Sequence, residues 1–281
     1  MENIIISNPE HLKEIKNKIL KQGKEKFHVL ADFDKTLTYA HKKDGKEYPS
    51  LISVLRNENY ISEDYSKKAK ELAEKYRRIE YDPKVPHKKK KKYMNEWWTL
   101  HNKLLIKSGL NKKNIELVVD SGIIKLRDGA GEFLDYLDEK KIPLLILSSS
   151  GIGNAIQIFL EKQGKFYNNI QIITNIWKFD QKGKVIGLEG SVIHAMNKDE
   201  TMVHDFPEIY KRIKDRKNVL LMGDSIGDLG MIEGFDYDNL LKVGFLNDNV
   251  KENIKNYKKN FDVVITSDSD MKYIINNILQ F

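Results

Sequence analysis

The chain has 281 residues, no cysteine and a formal net charge of +7, with a pI near 9.1. Its length suffices for one large domain, or a core with a smaller companion. The absence of thiols excludes a disulfide framework, a thiolate metal site and a cysteine nucleophile. No apolar run reaches the length of a membrane span, and the first residues lack the cationic start and long apolar core of a signal peptide. A soluble cytoplasmic protein is therefore the expectation. The positive charge fits nucleic-acid binding, steering of a small anionic substrate, or simply a composition rich in Lys, Asn and Ile.

Residues 1–26 read as a leading helix, with Leu12, Ile15, Ile19 and Leu20 at helical spacing and Ser7-Asn8-Pro9 as a start signal. Phe27–Ala31 is an apolar run of strand length. It ends in Asp32 and Asp34, which a strand end can turn toward one space, with the hydroxyls of Thr36 and Thr38 just beyond. Two close carboxylates repel unless a cation or a shared proton stabilises them. Magnesium, a hard cation that takes oxygen ligands and works beside phosphate, is the natural counter-charge. Taken alone, the Asp-x-Asp could equally be a capped turn.

Ala40–Asn59 is polar. Two helical stripes follow, Tyr65, Ala69, Leu72, Ala73, Tyr76, Ile79 and then Met94, Trp97, Trp98, His101, Leu104, Leu105. They are separated by Tyr81-Asp82-Pro83 and a basic run, His87–Lys92. No strand pattern occurs before residue 126. After a turn at Arg127-Asp128-Gly129 and a helix through Phe133, Leu134 and Leu137, Ile142–Leu147 reads as a buried parallel strand. It runs into Ser148-Ser149-Ser150-Gly151-Ile152-Gly153 and a helix from Asn154. Small residues at such a junction make an anion site or an ordinary helix cap. Ile170–Thr174 is another apolar run, and Ile176–Phe179 with Val185–Leu188 flank a hairpin turn. Asn197-Lys198-Asp199 leads to a helix after Asp205 that admits Pro207 in its first turn. Asn218–Met222 is a strand that opens into Gly223-Asp224-Ser225-Ile226-Gly227-Asp228, and Leu241–Leu246 and Phe261–Thr266 are two more strands.

Strands alternating with helices indicate a doubly wound α/β fold with a mostly parallel, Rossmann-like sheet, in which ligands bind at the carboxyl ends of the strands. The helical stretch interrupts it as an inserted all-helical cap domain. The expected division is residues 1–40 and 126–281 for the catalytic core and 41–125 for the cap.

Asp-Phe-Asp-Lys-Thr-Leu-Thr after an apolar strand resembles the first motif of the haloacid dehalogenase superfamily of phosphohydrolases. The later serine run, Lys198 and the Asp224–Asp228 motif follow in the matching order. The chemistry is coherent. Asp32 can attack phosphorus and form an aspartyl-phosphate. Asp34 can protonate the leaving oxygen and then activate water. Asp32, Asp224 and the main-chain carbonyl of Asp34 can ligate magnesium. Lys198 can hold the phosphate, and Asp228 can bind through water or orient Lys198. Ser148 or Ser149, with nearby N–H groups, can take a phosphate oxygen. Ser150 and Thr36 lie in the same motifs.

The likeness narrows further. Glu74–Pro83, Tyr93–Trp98, Ser150–Gly153, Ile193–Lys198 and Leu221–Met231 resemble the cytosolic pyrimidine 5′-nucleotidase family from about residue 28 to the end. The resemblance implies that Glu96, in the Glu-Trp motif of the cap, contacts the nucleobase; a carboxylate accepts hydrogen bonds and would choose a donating base edge. Trp97 or Trp98 could stack on a base or fill the core. Three features depart from the family pattern. Lys35 stands where the family often has an apolar residue. There are three serines, so counting from Gly151 selects Ser149 and counting from the strand selects Ser148. The Lys88–Lys92 run reads as a solvated surface. The resemblance implies a magnesium-dependent 5′-nucleotidase that prefers pyrimidine nucleoside monophosphates and acts as a monomer without nucleic-acid or membrane partners. The alternatives are a phosphatase for 7-methyl-GMP or a sugar phosphate, a nucleoside phosphotransferase, and a retired scaffold that binds nucleic acid through its basic charge.

Overall fold

The computed structural model describes residues 3–82, 84–198, 206–233 and 236–281. Pro83, Asp199 and Asp205, which figured in the sequence reading, lie outside this set. An eight-stranded sheet forms the core, in the order β1-β8-β7-β6-β2-β3-β4-β5. Its strands are β1 (Ile4–Ile6), β2 (Phe27–Ala31), β3 (Leu144–Ile152), β4 (Ile170–Phe179), β5 (Val185–Glu189), β6 (Asn218–Gly223), β7 (Asn239–Leu246) and β8 (Val263–Thr266). The edge strands β1 and β5 pair antiparallel to their neighbours; every other pairing is parallel.

The central strands are continuous apolar runs because both faces of the sheet are covered. Side chains alternate between them: Val29, Ala31, Leu144, Ile146, Leu220 and Met222 belong to one hydrophobic cluster. Leu30, Leu145, Leu147, Val219 and Leu221 belong to the other. The core helices are α1 (Pro9–Gln22), α6 (Ala130–Glu139), α7 (Ala155–Lys162), α8 (Pro207–Ile213) and α9 (Val250–Asn260), numbered in chain order with four more between β2 and β3.

Those four are α2 (Leu51–Asn57), α3 (Glu63–Tyr81), α4 (His87–Lys107) and α5 (Lys112–Asp120). α2 and α5 pack toward the core, against β3 and α7 respectively, while α3 and α4 pack on each other. Trp97 stacks on Tyr76 between α3 and α4, with ring centroids 5.9 Å apart, and Trp98 joins the main cluster. Both tryptophans are core residues, 8% and 9% exposed. The lysine run opens α4 on the surface, and Lys90 donates to the Glu80 carbonyl at 2.6 Å, satisfying the end of α3.

Two local expectations fail. Ile4–Ile6 is not helical; this β-branched run pairs antiparallel with β8, and the helix begins only at Pro9, where the Asn8 side chain accepts from the His11 N–H at 3.1 Å. The polar stretch 40–59 contains α2, whose residues Leu51–Arg56 are all buried. A helix buried on every side shows no amphipathic period.

In the centre of the sheet Gly223 on β6 pairs with Gly244 on β7. A Cβ at Gly244 would lie 2.6 Å from the Phe261 ring. Gly244→Ala is expected to cost about 1–3 kcal/mol through overpacking, read as a lower urea midpoint at unchanged slope. An unchanged midpoint would mean that Phe261 moves aside freely.

Candidate active site

The chain runs outward from β2 to β3, β4 and β5, then returns to the other side of β2 through β6. The carboxyl ends of β2 and β6 therefore flank the point where the strand order reverses, the place where such sheets bind ligands. Asp32 follows β2, and its N–H extends the ladder to the Met222 carbonyl at 3.0 Å. Asp224 follows β6, directly after Gly223, whose missing side chain leaves room for Asp228.

Lys198 joins these ends. Its ammonium lies 2.5 Å from Asp32 Oδ1 and 2.9 Å from Asp228 Oδ1. All three residues are buried. Burial works against the lysine's charge, yet Asp228 and Asp32 hold its pKa above the ordinary value. Asp228 is fixed from behind, its Oδ2 accepting from the Ser225 N–H at 3.0 Å and the Ser225 hydroxyl at 2.9 Å. This geometry makes Asp228 an anchor for Lys198 and leaves Asp32 Oδ2 without a hydrogen-bond partner among the described residues.

Asp34 sits in a tight turn over Phe33–Leu37 in which Lys35 adopts a left-handed φ of 58°. Thr38 pins the turn: its hydroxyl accepts from the Lys35 N–H at 2.9 Å and donates to the Phe33 carbonyl at 3.3 Å. The Ser150 hydroxyl donates to Asp34 Oδ2. Ser148 is fully buried on the same side of β3, 3.4 Å from the Ser150 hydroxyl. Ser149 points elsewhere along the strand; its carbonyl accepts from Asn175 at 3.2 Å, and its hydroxyl makes no hydrogen bond among the described residues. The Thr36 hydroxyl is buried and has no hydrogen-bond partner among the described residues.

The electrostatics are those of crowded acids. Burial raises the Asp32 pKa well above the ordinary value; Lys198 opposes this, and Asp228, Asp224 and Asp34 add repulsion. Burial also raises Asp34 against the Ser150 hydrogen bond, which suits a group that must carry a proton. Burial followed by the Asp228 charge pushes Asp224 up to about 7. Ligand oxygens of Asp32, Asp224 and Asp228 lie within 4.8 Å of one another. Asp32 and Asp228 are buried and Asp224 half-buried, and among the described residues only Lys198 lies at ion-pair distance from any of them, so a hard divalent cation fits the donor set. A second group, His41, Glu47 and Asp248, is as compact. Its members already have partners: His41 lies 2.8 Å from Asp248 within the group, and Glu47 lies 3.4 Å from Lys35 outside it.

Sequence reasoning missed Arg127. This guanidinium is 1% exposed, in a segment read only as a turn. It donates to the Thr36 carbonyl at 2.9 Å, the Lys35 carbonyl at 2.6 Å, the Ser269 carbonyl at 2.7 Å and Asn247 Oδ1 at 3.1 Å, and it pairs with Asp268 at 2.9 Å. Asp268 in turn accepts from the N–H groups of Ala40 and His41. Arg127 thus clamps the turn that carries Asp34. A basic residue beside Asp-Gly was its only sequence signal.

A cleft of about 810 Å³ is lined by Lys35 and Asp224 at its core end and by Ser53, Arg56 and Arg77 among others from α2 and α3. Glu96 does not line it. Glu96 is exposed on α4 and accepts from the Tyr76 hydroxyl at 2.6 Å. A base-contacting role for Glu96 rests on the family resemblance alone.

Acid-bearing loops at the strand-order switch, a shared buried lysine and an overlying helical insertion define a phosphohydrolase of the haloacid dehalogenase type. Phosphoserine phosphatase in its substrate-bound form has a similar fold, with a TM-score of 0.53 at 18% identity over 89% of this chain and 97% of that one. The model of the pyrimidine 5′-nucleotidase (UMPH-1) family matches residues 35–281, and the chain belongs to that family. It is 34% identical to 7-methylguanosine phosphate-specific 5′-nucleotidase A of Xenopus laevis, over all of this chain and 96% of that protein. It superposes on cytosolic 5′-nucleotidase IIIB bound to cytidine with a TM-score of 0.86, at 30% identity over 97% of this chain and 90% of that one. The protein is a 5′-nucleotidase, a phosphoric monoester hydrolase.

Arg127→Ala is expected to destabilise the fold by about 3–5 kcal/mol, because it strips Asp268 of its buried ion-pair partner and removes a donor from the carbonyls of Lys35, Thr36, Thr38 and Ser269. Arg127→Lys should recover part of the loss. Guanidinium denaturation reads both, and an alanine variant as stable as the parent would contradict the clamp.

Proposed function

We propose that the protein hydrolyses nucleoside 5′-monophosphates, pyrimidine ones preferred, to nucleoside and phosphate through an aspartyl-phosphate at Asp32. The observation that carries this reading is the division of labour on Asp32: one oxygen faces Lys198 at 2.5 Å, and the other makes no hydrogen bond to a described residue. The unengaged oxygen attacks phosphorus, and the bond to the 5′ oxygen breaks. Asp34, raised by burial and so suited to carrying a proton, delivers that proton to the leaving alkoxide. The same carboxylate then takes a proton from water as the water attacks the phosphorus of the acyl phosphate, freeing phosphate and restoring Asp32.

Lys198 balances the charge of Asp32 and holds a phosphate oxygen. The Ser149 hydroxyl, without a described partner, takes another, while Ser150 and Ser148 fix Asp34 and the Thr36 carbonyl ties the turn to Arg127. Asp32, Asp224 and the Asp34 carbonyl are the groups that would hold magnesium, which supplies neutralisation of phosphate charge. Residues 41–125 form the cap, and closure of α3 and α4 over the substrate excludes bulk water. We place the enzyme in the cytoplasm as a monomer acting on small substrates, without nucleic-acid or membrane partners. Among the described residues no helix is long and apolar enough to cross a membrane. The names of the Xenopus relatives support a second reading, with 7-methylguanosine monophosphate as substrate.

Asp32→Asn should abolish phosphate release while leaving the melting temperature close to that of the parent. Asp34→Asn should slow release severely yet still bind nucleotide. Near-normal turnover in Asp32→Asn would overturn the mechanism.

The metal-free chain should also lose stability as pH rises. Asp224 titrates near 7 in the folded state, above its ordinary value, so between about pH 4 and 7 the folded state binds the extra proton. Stability from this group is present at low pH and is lost as pH rises through 7. Added magnesium should therefore raise the melting temperature more at pH 8 than at pH 5; a larger shift at pH 5 would contradict the assignment.

A further inference from the structure

Arg56 is a buried cation without an ion-pair partner among the described residues. It is 5% exposed and lines the cleft whose other end holds Asp224. One of its N–H groups donates to the Ser53 hydroxyl at 2.7 Å, and Ser53 is itself bonded to Ser50 at 2.9 Å. It has no further hydrogen bond and no carboxylate partner among the described residues. Its aromatic neighbours offer no negative charge, and Glu47, Glu58 and Glu74, which line the same cleft, make no ion pair with it. Tyr65 and His101 bond to each other at 3.0 Å; burial raises the phenol, and burial together with the Arg56 charge lowers His101 to about 3, so both are neutral at physiological pH. Arg77 adds a repulsive charge. Burial, then Arg77, lowers the Arg56 pKa to about 10.

A guanidinium has five N–H donors in a fixed fork. Burying it with most of them unmade is costly unless something that enters the site completes the set. The cleft supplies the room, and the entering group must present acceptors. With the phosphate held at Asp32 and Lys198, the part of a nucleotide that reaches the helical insertion is the base. Guanine offers O6 and N7 to an arginine fork, and the pyrimidines offer their ring carbonyls. A 7-methylguanine has its N7 blocked and carries a positive charge on its imidazole ring.

We propose that Arg56 is a specificity-determining residue: its guanidinium takes the acceptor edge of a neutral base, and its charge, ion-paired to no described carboxylate and reinforced by Arg77, rejects a base that is itself cationic. The inference rests on the nucleotidase reading and sets this chain apart from relatives named for 7-methylguanosine phosphate. It also moves base selection from the donor edge that a carboxylate at Glu96 would choose to the acceptor edge.

The test is kcat/KM on GMP, 7-methyl-GMP, UMP, CMP and AMP, with magnesium, for the full chain and for Arg56→Met and Arg56→Lys. A charge-assisted hydrogen bond is worth roughly tenfold or more. The native enzyme should therefore favour GMP over 7-methyl-GMP by about tenfold or more. Arg56→Met should collapse that ratio, and Arg56→Lys, which keeps the charge, should preserve its direction. A native enzyme that uses 7-methyl-GMP as well as GMP, or a ratio unchanged in Arg56→Met, would overturn the assignment. Should the methionine variant fail to fold, the native ratio decides.

Melting-temperature shifts with the phosphate-free nucleosides separate the two claims. Guanosine bound in preference to 7-methylguanosine, with no nucleotide hydrolysed, would sink the nucleotidase reading and leave Arg56 standing. Nucleotides hydrolysed without that preference would sink Arg56 alone.

Discussion

One ammonium group holds together a cluster that would otherwise repel itself. Lys198 lies between Asp32 and Asp228 in a site where all three are nearly inaccessible to water, with Asp224 and Asp34 close enough to add their own repulsion. Like charges at this depth are tolerated only when each is paired or hydrogen-bonded. Asp228 meets that condition fully through Ser225 and Lys198. Asp32 meets it by half, and Asp224 has no described side-chain partner, so the site carries surplus negative charge that a divalent cation would absorb. The proposed nucleophile is the carboxylate oxygen that the cluster leaves without a partner.

The fold delivers this arrangement through strand ends. β2, β3 and β6 are adjacent and parallel, so Asp32, the serine run and Asp224 emerge at one edge. Between Asp34 and β3 the chain leaves the core, forms α2–α5 and returns. The two connections are themselves paired: Thr38 bridges Leu126, and the Tyr39 N–H donates to the Lys125 carbonyl at 3.1 Å. Arg127 and Asp268 fasten that crossing to the core and to the Lys35 and Thr36 carbonyls. The exit to the helical insertion and the turn carrying Asp34 therefore share one anchor, which couples the position of the insertion to that of the proposed acid.

The acid and hydroxyl motifs were legible in the sequence because their signal is local. An apolar run followed by Asp32-x-Asp34, or by Gly223-Asp224 with Asp228 beyond, states both the strand and what stands at its end. Periodicity likewise revealed α3 and α4, each buried along one stripe. It missed α2, which is buried on all sides, and it put Ile4–Ile6 in a helix because strand pairing with β8, some 260 residues away, leaves no local mark. Arg127 and Arg56 were invisible for the same reason. Their importance lies in what surrounds them in space: acceptors from three separate segments for one, the lack of an ion-pair partner among the described residues for the other. The serine ambiguity arose from an extra residue that counting could not place. In the structure Ser148 and Ser150 share a side with Asp34, while Ser149 remains disengaged.

The most direct test of the proposed chemistry is to identify the residue that carries phosphate during turnover. The enzyme would be mixed with UMP and magnesium, quenched in acid within a single turnover, digested and mapped by mass spectrometry. The mechanism predicts a transient phosphoryl group on the peptide containing Asp32, absent when EDTA replaces magnesium. A phosphoryl group on one of Ser148–Ser150, or full turnover with no phosphorylated peptide at any time, would contradict it.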